Sequence, residues 1–287
     1  MIPASAIASC RWVPRVRAVG FTLLLYLASD ATSLPGADLS SAPLQRREAA
    51  LATKNEFKLF VAEANAAHAM KVLKLDEQYA VKQTVCFFDT KDRALDASGL
   101  ILRAREKSSG PGDSTVKIRA TGETLPVSDA ERGIAPEQDW TDERRPTFSR
   151  SLNRSPLPSG LVSKVLAAQV PASELFDEAQ RKCVLARVKG FRWKTLRRYG
   201  PVQTEVWRRT SLLHGFPGQV TVELWHLKRA GRQEIVLEVS AKANAKSQAH
   251  AQALARQFFG AAKAAGLGTP TGQTKTRLVL DFYNPGR

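Results

Sequence analysis

Phe87–Lys107 reads FFDTKDRALDASGLILRAREK, and Ser114–Arg119 resumes the pattern as STVKIR. Basic residues fall at alternate positions. Alternate residues of a strand share one face. Arg103 and Arg105 therefore point one way, and Leu100, Leu102 and Ala104 the other. Thr115, Lys117 and Arg119 repeat the arrangement against Val116, Ile118 and Ala120. A sheet with an apolar face and a guanidinium face is a platform for phosphate.

The same reading extends along the chain. Asn55–Val61 alternates as a first strand, and Ala62–Leu75 has helical spacing. Tyr79–Asp89 is a strand, and Asp92–Gly99 a turn that ends on a glycine able to take positive φ. Gly99–Lys107 and Ser114–Thr121 form two strands around a flexible SSGPGD turn. Residues 122–160 are polar and carry prolines, so they read as a loop-rich insertion. Leu161–Gln169 and Ala172–Ala179 read as short helices. Lys182–Val188, Phe191–Tyr199, Gln203–Leu212, Gln219–Lys228 and Gln233–Ala241 read as strands. Ser247–Ala265 is an amphipathic helix, and Thr274–Tyr283 (TKTRLVLDFY) a last strand. Some eight or nine of these candidate strands, with a few helices, predict an α+β protein built on a closed antiparallel barrel.

The 287 residues carry a formal charge of +16, and 43% of them are hydrophobic. That apolar content supports a core and excludes global disorder. The charge makes a polyanion the leading class of partner without choosing among nucleic acid, anionic lipid, polyphosphate and nucleotide. Nucleic acid is disfavoured, because there is no aromatic RNP-type strand, helix-turn-helix or zinc finger. Arg11, Arg15 and Arg17 before the apolar run Ala18–Ala28 read as a secretory signal over residues 1–33, too short to span a bilayer comfortably. Residues 34–48 read as a polar linker, and 49–287 as the folded domain, with no stable membrane span. Removing residues 1–48, whose five arginines exceed three acids by two, leaves +14. A real signal implies export, periplasmic or secreted; otherwise the protein is cytoplasmic. Cys86 and Cys183 could form a disulfide or remain separate buried thiols. His68, His214, His226 and His250 form no ligand motif.

Three segments together resemble the CYTH superfamily, the triphosphate tunnel metalloenzymes. They are Phe88-Asp89-Thr90, Leu102-Arg103-Ala104-Arg105 and Thr115-Val116-Lys117. Thr274-Lys275 with Arg277 fits the family's closing strand. The resemblance covers roughly residues 52–283. It implies an eight-stranded antiparallel β-barrel, a tunnel with flanking helices, whose basic lining holds a triphosphate and whose glutamates bind Mg²⁺ or Mn²⁺. The implied activity is a metal-dependent triphosphatase or polyphosphate phosphohydrolase, with triphosphate, polyphosphate or nucleotide as substrate. A cyclase activity, also found in the family, fits export poorly.

Carried onto this chain, the family's Glu-x-Glu-x-Lys strand reads Lys54-Asn55-Glu56-Phe57-Lys58. Glu56 and Lys58 match as catalytic residues, and Lys54 stands where the first glutamate is expected. Arg103, Arg105, Lys117, Arg119, Arg192 and Lys275 are the implied phosphate ligands, with Arg198 the competitor of Arg192. Glu56, Glu234 and Glu238 are the implied metal ligands, chosen among acids that include Glu205 and Glu223. Asp89 is expected to brace a turn. The charge reversal at Lys54 leaves a second reading, a polyphosphate- or polyanion-binding module that has lost part of its metal site.

Overall fold

Alternation in KNEFKLFV places Phe57 and Leu59 on one face of the first strand and Glu56 and Lys58 on the other. That division between an apolar outer face and a polar inner face recurs along the barrel, while Phe60, Phe87 and Ile101 add an apolar patch to the interior. The computed structural model describes residues 54–120, 134, 136–210, 213–270 and 274–284. The expected signal and linker lie outside the described residues.

The strands are β1 (Lys54–Val61), β2 (Val81–Asp89), β3 (Leu100–Lys107), β4 (Asp113–Arg119), β5 (Glu137–Trp140), β6 (Thr147–Arg154), β7 (Arg197–Thr210), β8 (Gln219–Arg229) and β9 (Arg232–Asn244). They close into one barrel in the order β1-β5-β6-β4-β3-β2-β7-β8-β9. The helices are α1 (Glu63–Val72), α2 (Ala94–Ala97), α3 (Leu161–Leu166), α4 (Glu178–Arg187), α5 (Gln248–Ala264) and α6 (Lys275–Tyr283). No helix among the described residues is long and apolar enough to cross a membrane.

The barrel departs from expectation in four places. It has nine strands rather than eight, and it is mixed, because β1 and β5 run parallel with Lys54 opposite Glu137. The added strands come from the segment expected to be a loop. β5 has only four residues, too few to display a period, and the inward positions of β6 carry Ser and Asn rather than apolar residues. The expected strand Lys182–Val188 is part of helix α4, started by a capping box in which Asp177 and Gln180 exchange hydrogen bonds. The expected strand Phe191–Tyr199 is a 3₁₀ turn at Trp193–Thr195 followed by the start of β7.

The fourth departure is the C-terminal segment. Thr274–Tyr283 is a helix capped by the Thr274 hydroxyl, not a closing strand. Its buried residues Thr276, Val279, Leu280 and Phe282 recur at helical spacing. The run LVLDFY satisfies that period and a strand period alike, and only packing chooses. The helix lays Val279, Leu280 and Phe282 against Phe60, Phe87, Tyr199 and Trp225.

Two further apolar clusters cover the outside of the barrel. Helices α1 and α5 pack on β1, β8 and β9, where the Phe258 ring stacks on Phe57 with centroids 5.8 Å apart. Helices α3 and α4 pack on β3 and β4 through Val162, Val165, Cys183 and Val184. The apolar face is thereby removed from water, and the polar face is left to line the interior. Cys86 and Cys183 are both buried and form no disulfide. Burial pushes the Cys86 thiol up to about 12. Asp89 accepts hydrogen bonds from the backbone of Thr90 at 2.7 Å, Leu95 at 2.9 Å and Asp96 at 3.0 Å, so it fastens the turn into α2.

Candidate functional site

The interior of the barrel holds a cavity of about 610 Å³. Eight cationic side chains line it, Lys58, Arg103, Arg105, Lys117, Arg119, Arg208, Lys242 and Lys275, against five carboxylates, Glu56, Glu137, Asp139, Glu223 and Glu238. The described lining thus carries a formal excess of three positive charges.

The charges fall into three groups. On β1, β4 and β5, Asp139 is gripped by two lysines. Its Oδ1 lies 2.8 Å from Lys58 Nζ and its Oδ2 lies 2.7 Å from Lys117 Nζ, while Ser149 donates to Oδ2 at 2.8 Å. Glu56 Oε2 lies 2.7 Å from Lys58 Nζ, and Glu137 lies 3.8 Å from Lys117 Nζ. Burial would raise the Glu56 carboxyl, but Lys58 and Lys117 overcome it and hold the group at about 2. Burial opposes Asp139 in the same way, and the two ammonium groups push it well below the usual carboxylate range. The lysines divide. Burial would lower Lys58, but Asp139 and Glu56 raise it; burial and the Lys58 charge lower Lys117.

At the end closed by α6, Lys275 bridges Glu223 and Glu238, lying 2.7 Å from Glu238 Oε1 and over the Trp225 ring at 4.7 Å. Glu223 and Glu238 are direct cross-strand neighbours. Against its own burial, Lys275 draws Glu223 down to about 2. Burial pushes Glu238 upward, and the Glu223 charge adds to the rise despite Lys275.

Arginines occupy the third group. Asp113 binds Arg105 in a fork, at 2.9 Å to Nε and 3.1 Å to Nη2. Arg103 has no carboxylate partner among the described residues. Its Nη2 reaches Thr115 Oγ1 at 3.5 Å, and its buried Nε has no hydrogen-bond partner. Burial and the neighbouring Arg105 charge depress Arg103 to about 10. A half-buried guanidinium whose nearest acids, Glu223, Asp113 and Glu56, act only at a distance is costly, and an anion in contact would relieve it.

Of the residues expected from the sequence, Glu56, Lys58, Arg103, Arg105, Lys117, Arg119, Glu238 and Lys275 all line this cavity. Two do not. Arg192 is exposed at the start of the 3₁₀ turn, where its carbonyl accepts from Thr195. Glu234 lies near the β8–β9 hairpin, 3.4 Å from Arg232. Arg198, the competitor of Arg192, also lies outside, donating to carbonyls of helix α3. Glu223 and, from the segment read as a loop, Glu137 and Asp139 also line the cavity. The four residues Glu137-Gln138-Asp139-Trp140 form too short an alternation to have marked the last two. Lys54 is exposed at the start of β1, and its parallel neighbour Glu137 brings a carboxylate to the adjacent wall of the cavity.

A divalent cation would find hard oxygen donors here, with Glu238 Oε2 buried and without a hydrogen-bond partner beside Glu223. Among the described residues, no group of three or more His, Cys, Asp or Glu could hold a metal by itself. A Mg²⁺ or Mn²⁺ ion here would have to displace the Lys275 ammonium between Glu223 and Glu238 and complete its shell with phosphate oxygens and water.

The barrel shares its fold with two solved structures, in keeping with the fold that the sequence resemblance implied. A candidate adenylate cyclase from Bacillus halodurans superposes with a TM-score of 0.50 at 15% identity, over 79% of this chain and 98% of that one. A candidate adenylyl cyclase from Hippeastrum, described as having a dominant triphosphatase activity, superposes with a TM-score of 0.50 at 15% identity, over 80% and 95%. No protein-family model and no curated protein matches the sequence.

The charge pairing carries a pH prediction. Glu56, Asp139 and Glu223 bind protons less readily in the folded protein than in the unfolded chain. Their contribution to stability is complete above about pH 4.5, the ordinary Glu value, and is lost as pH falls toward 2. Glu238, shifted upward, acts in the opposite sense and offsets part of this. The urea midpoint is expected to fall steadily from pH 5 to pH 2. A flat profile would show that the lysine pairs add nothing to the fold.

Proposed function

We propose that the protein binds a triphosphate, or the end of an inorganic polyphosphate, inside the barrel and hydrolyses its terminal phosphoanhydride bond with Mg²⁺ or Mn²⁺. One observation carries the reading: Arg103 is a half-buried guanidinium lining the cavity, its Nε buried without a hydrogen-bond partner, and no carboxylate among the described residues pairs with it. Arginine forks match phosphate oxygens, and such charge-assisted bonds are about twice as strong as neutral ones. Arg103 and Arg119 would take the non-bridging oxygens. Arg105, held by Asp113, would present its remaining N–H groups in a fixed direction. Lys117, kept near Asp139, would neutralise charge developing on the phosphoryl oxygens.

The acids divide by proton affinity. Glu56 and Glu223 stay ionised at neutral pH, so they orient groups rather than hold a proton. Glu238 is the better proton acceptor, and its Oε2 is the atom without a partner. When bound, the divalent ion would supply Lewis-acid polarisation and charge neutralisation at the phosphates.

The test is phosphate release from tripolyphosphate, long-chain polyphosphate, ATP and thiamine triphosphate, each with Mg²⁺, Mn²⁺ or EDTA. Metal-dependent release from at least one of them is expected. A second reading rests on the lysine bridges: Lys58 and Lys275 already span the carboxylates a metal would use. A binding module would then take up tripolyphosphate in calorimetry without turnover. No release from any substrate, together with binding that survives EDTA, would replace the hydrolase by this module.

A further inference from the structure

We propose that a second phosphate-binding groove lies on the outside of the barrel, where β7, β8 and the C-terminal end of α6 meet. The groove has a volume of about 490 Å³ and shares no lining residue with the tunnel. Lys91, Arg197, Arg198, Lys228 and Arg229 line it, and no carboxylate does. None of these five makes a salt bridge among the described residues. The tunnel is the reverse case, because most of its cations already hold an acid.

A basic patch is ordinarily just a solvated surface, and three features set this one apart. First, two of the guanidinium groups are anchored by neutral acceptors. Arg198 Nη1 donates to the carbonyls of Leu166 and Val165, and Arg229 Nη1 donates to the carbonyl of Tyr283. Carbonyl anchors fix direction without cancelling charge, so their other N–H groups remain for an anion. Fixing the donors beforehand reduces the entropy lost on binding.

Second, the groove has a backbone floor. Gly200 adopts φ of +126°, and a Cβ there would come within 3.1 Å of the Val85 carbonyl. The glycine therefore permits a close approach of β7 to β2, at the register shift between Val85 and Phe87. Third, the C-terminal helix is tied to this floor. The Tyr283 hydroxyl donates to the Pro201 carbonyl at 3.0 Å and accepts from Lys228 N at 3.4 Å. The Asn284 amide donates to the Lys91 carbonyl at 3.2 Å. Lys91, Lys228 and the end of α6 are thus held around one concavity.

Five cations, no acid and anchored guanidinium forks suit phosphate groups, carried either on a free polyphosphate chain or on a lipid headgroup. Titration calorimetry of the full chain with tripolyphosphate is expected to show two sites. Lys91→Glu/Arg197→Glu/Lys228→Glu leaves the anchored arginines in place and should weaken one site at least tenfold, while Arg103→Gln weakens the other. Co-sedimentation with phosphatidic acid vesicles, against phosphatidylcholine vesicles, separates the sources. Loss of either tripolyphosphate or phosphatidic acid binding in the triple variant supports the groove. Unchanged binding of both overturns it, whatever Arg103→Gln does to the tunnel. Should the triple variant melt early in circular dichroism, Lys228→Gln alone is read by the same two assays, with a smaller loss of at least threefold expected. Unchanged binding by that variant overturns the groove equally.

Discussion

Asp139→Asn is expected to cost about 3–5 kcal/mol of folding stability, the usual effect of breaking a buried ion pair from one side. Asp139 is only 4% exposed and accepts from Lys58, Lys117 and Ser149. Asparagine keeps the shape and can still accept from Ser149. It removes the charge that holds two ammonium groups together. Lys58 and Lys117 would then face each other across a buried wall with only Glu56 and Glu137 as counter-ions. Urea denaturation at neutral pH measures the loss. The same variant should be rescued by its ligand more strongly than the parent, because an added phosphate replaces the missing negative charge. Tripolyphosphate should therefore raise the melting temperature of Asp139→Asn by more than it raises that of the unmodified protein. A loss of under 1 kcal/mol would mean that the two lysines are neutralised by other groups.

Arg103→Gln should move binding and stability in opposite directions. Hydrogen bonds to charged groups contribute about 1.5–3 kcal/mol, and each 1.4 kcal/mol is tenfold in affinity. Tripolyphosphate affinity is expected to fall about 10- to 100-fold in calorimetry. The ligand-free protein should be at least as stable as before. Arg103 is half-buried, makes no ion pair among the described residues and lies beside Arg105; its desolvation and the Arg105 charge already depress its pKa to about 10. Removing that charge relieves desolvation and like-charge repulsion. A purely structural arginine would behave otherwise, with stability lost and little change in affinity. That pattern would move the phosphate site away from Arg103.

The alternating strands show how far one-dimensional reading reaches. β3 and β4 declare their two faces because Arg103, Arg105, Lys117 and Arg119 strictly alternate with apolar residues, and all four line the cavity. Helix α5 declares itself through the spacing of Ala251, Ala255, Phe258, Phe259 and Ala262. The acidic side of the tunnel is harder to read. Asp139 belongs to a four-residue strand inside a polar, proline-bearing segment, and Glu234 and Glu238 have identical strand parity although only Glu238 lines the cavity. Position along the barrel axis separates the two glutamates, and a local period carries no information about that axis.

The amino-acid order alone determined the basic side of the inner wall on β3 and β4, because the two-residue strand period is a property of the local backbone. It likewise determined that an apolar outer face had to be covered by helices. Only the tertiary structure decided which acids meet which lysines, since β5 joins β1 in parallel across about 80 residues of chain. Only packing decided that LVLDFY is a helix capping the barrel, with Lys275 between Glu223 and Glu238. Both outcomes depend on long-range burial and charge neutralisation, which local propensity does not encode.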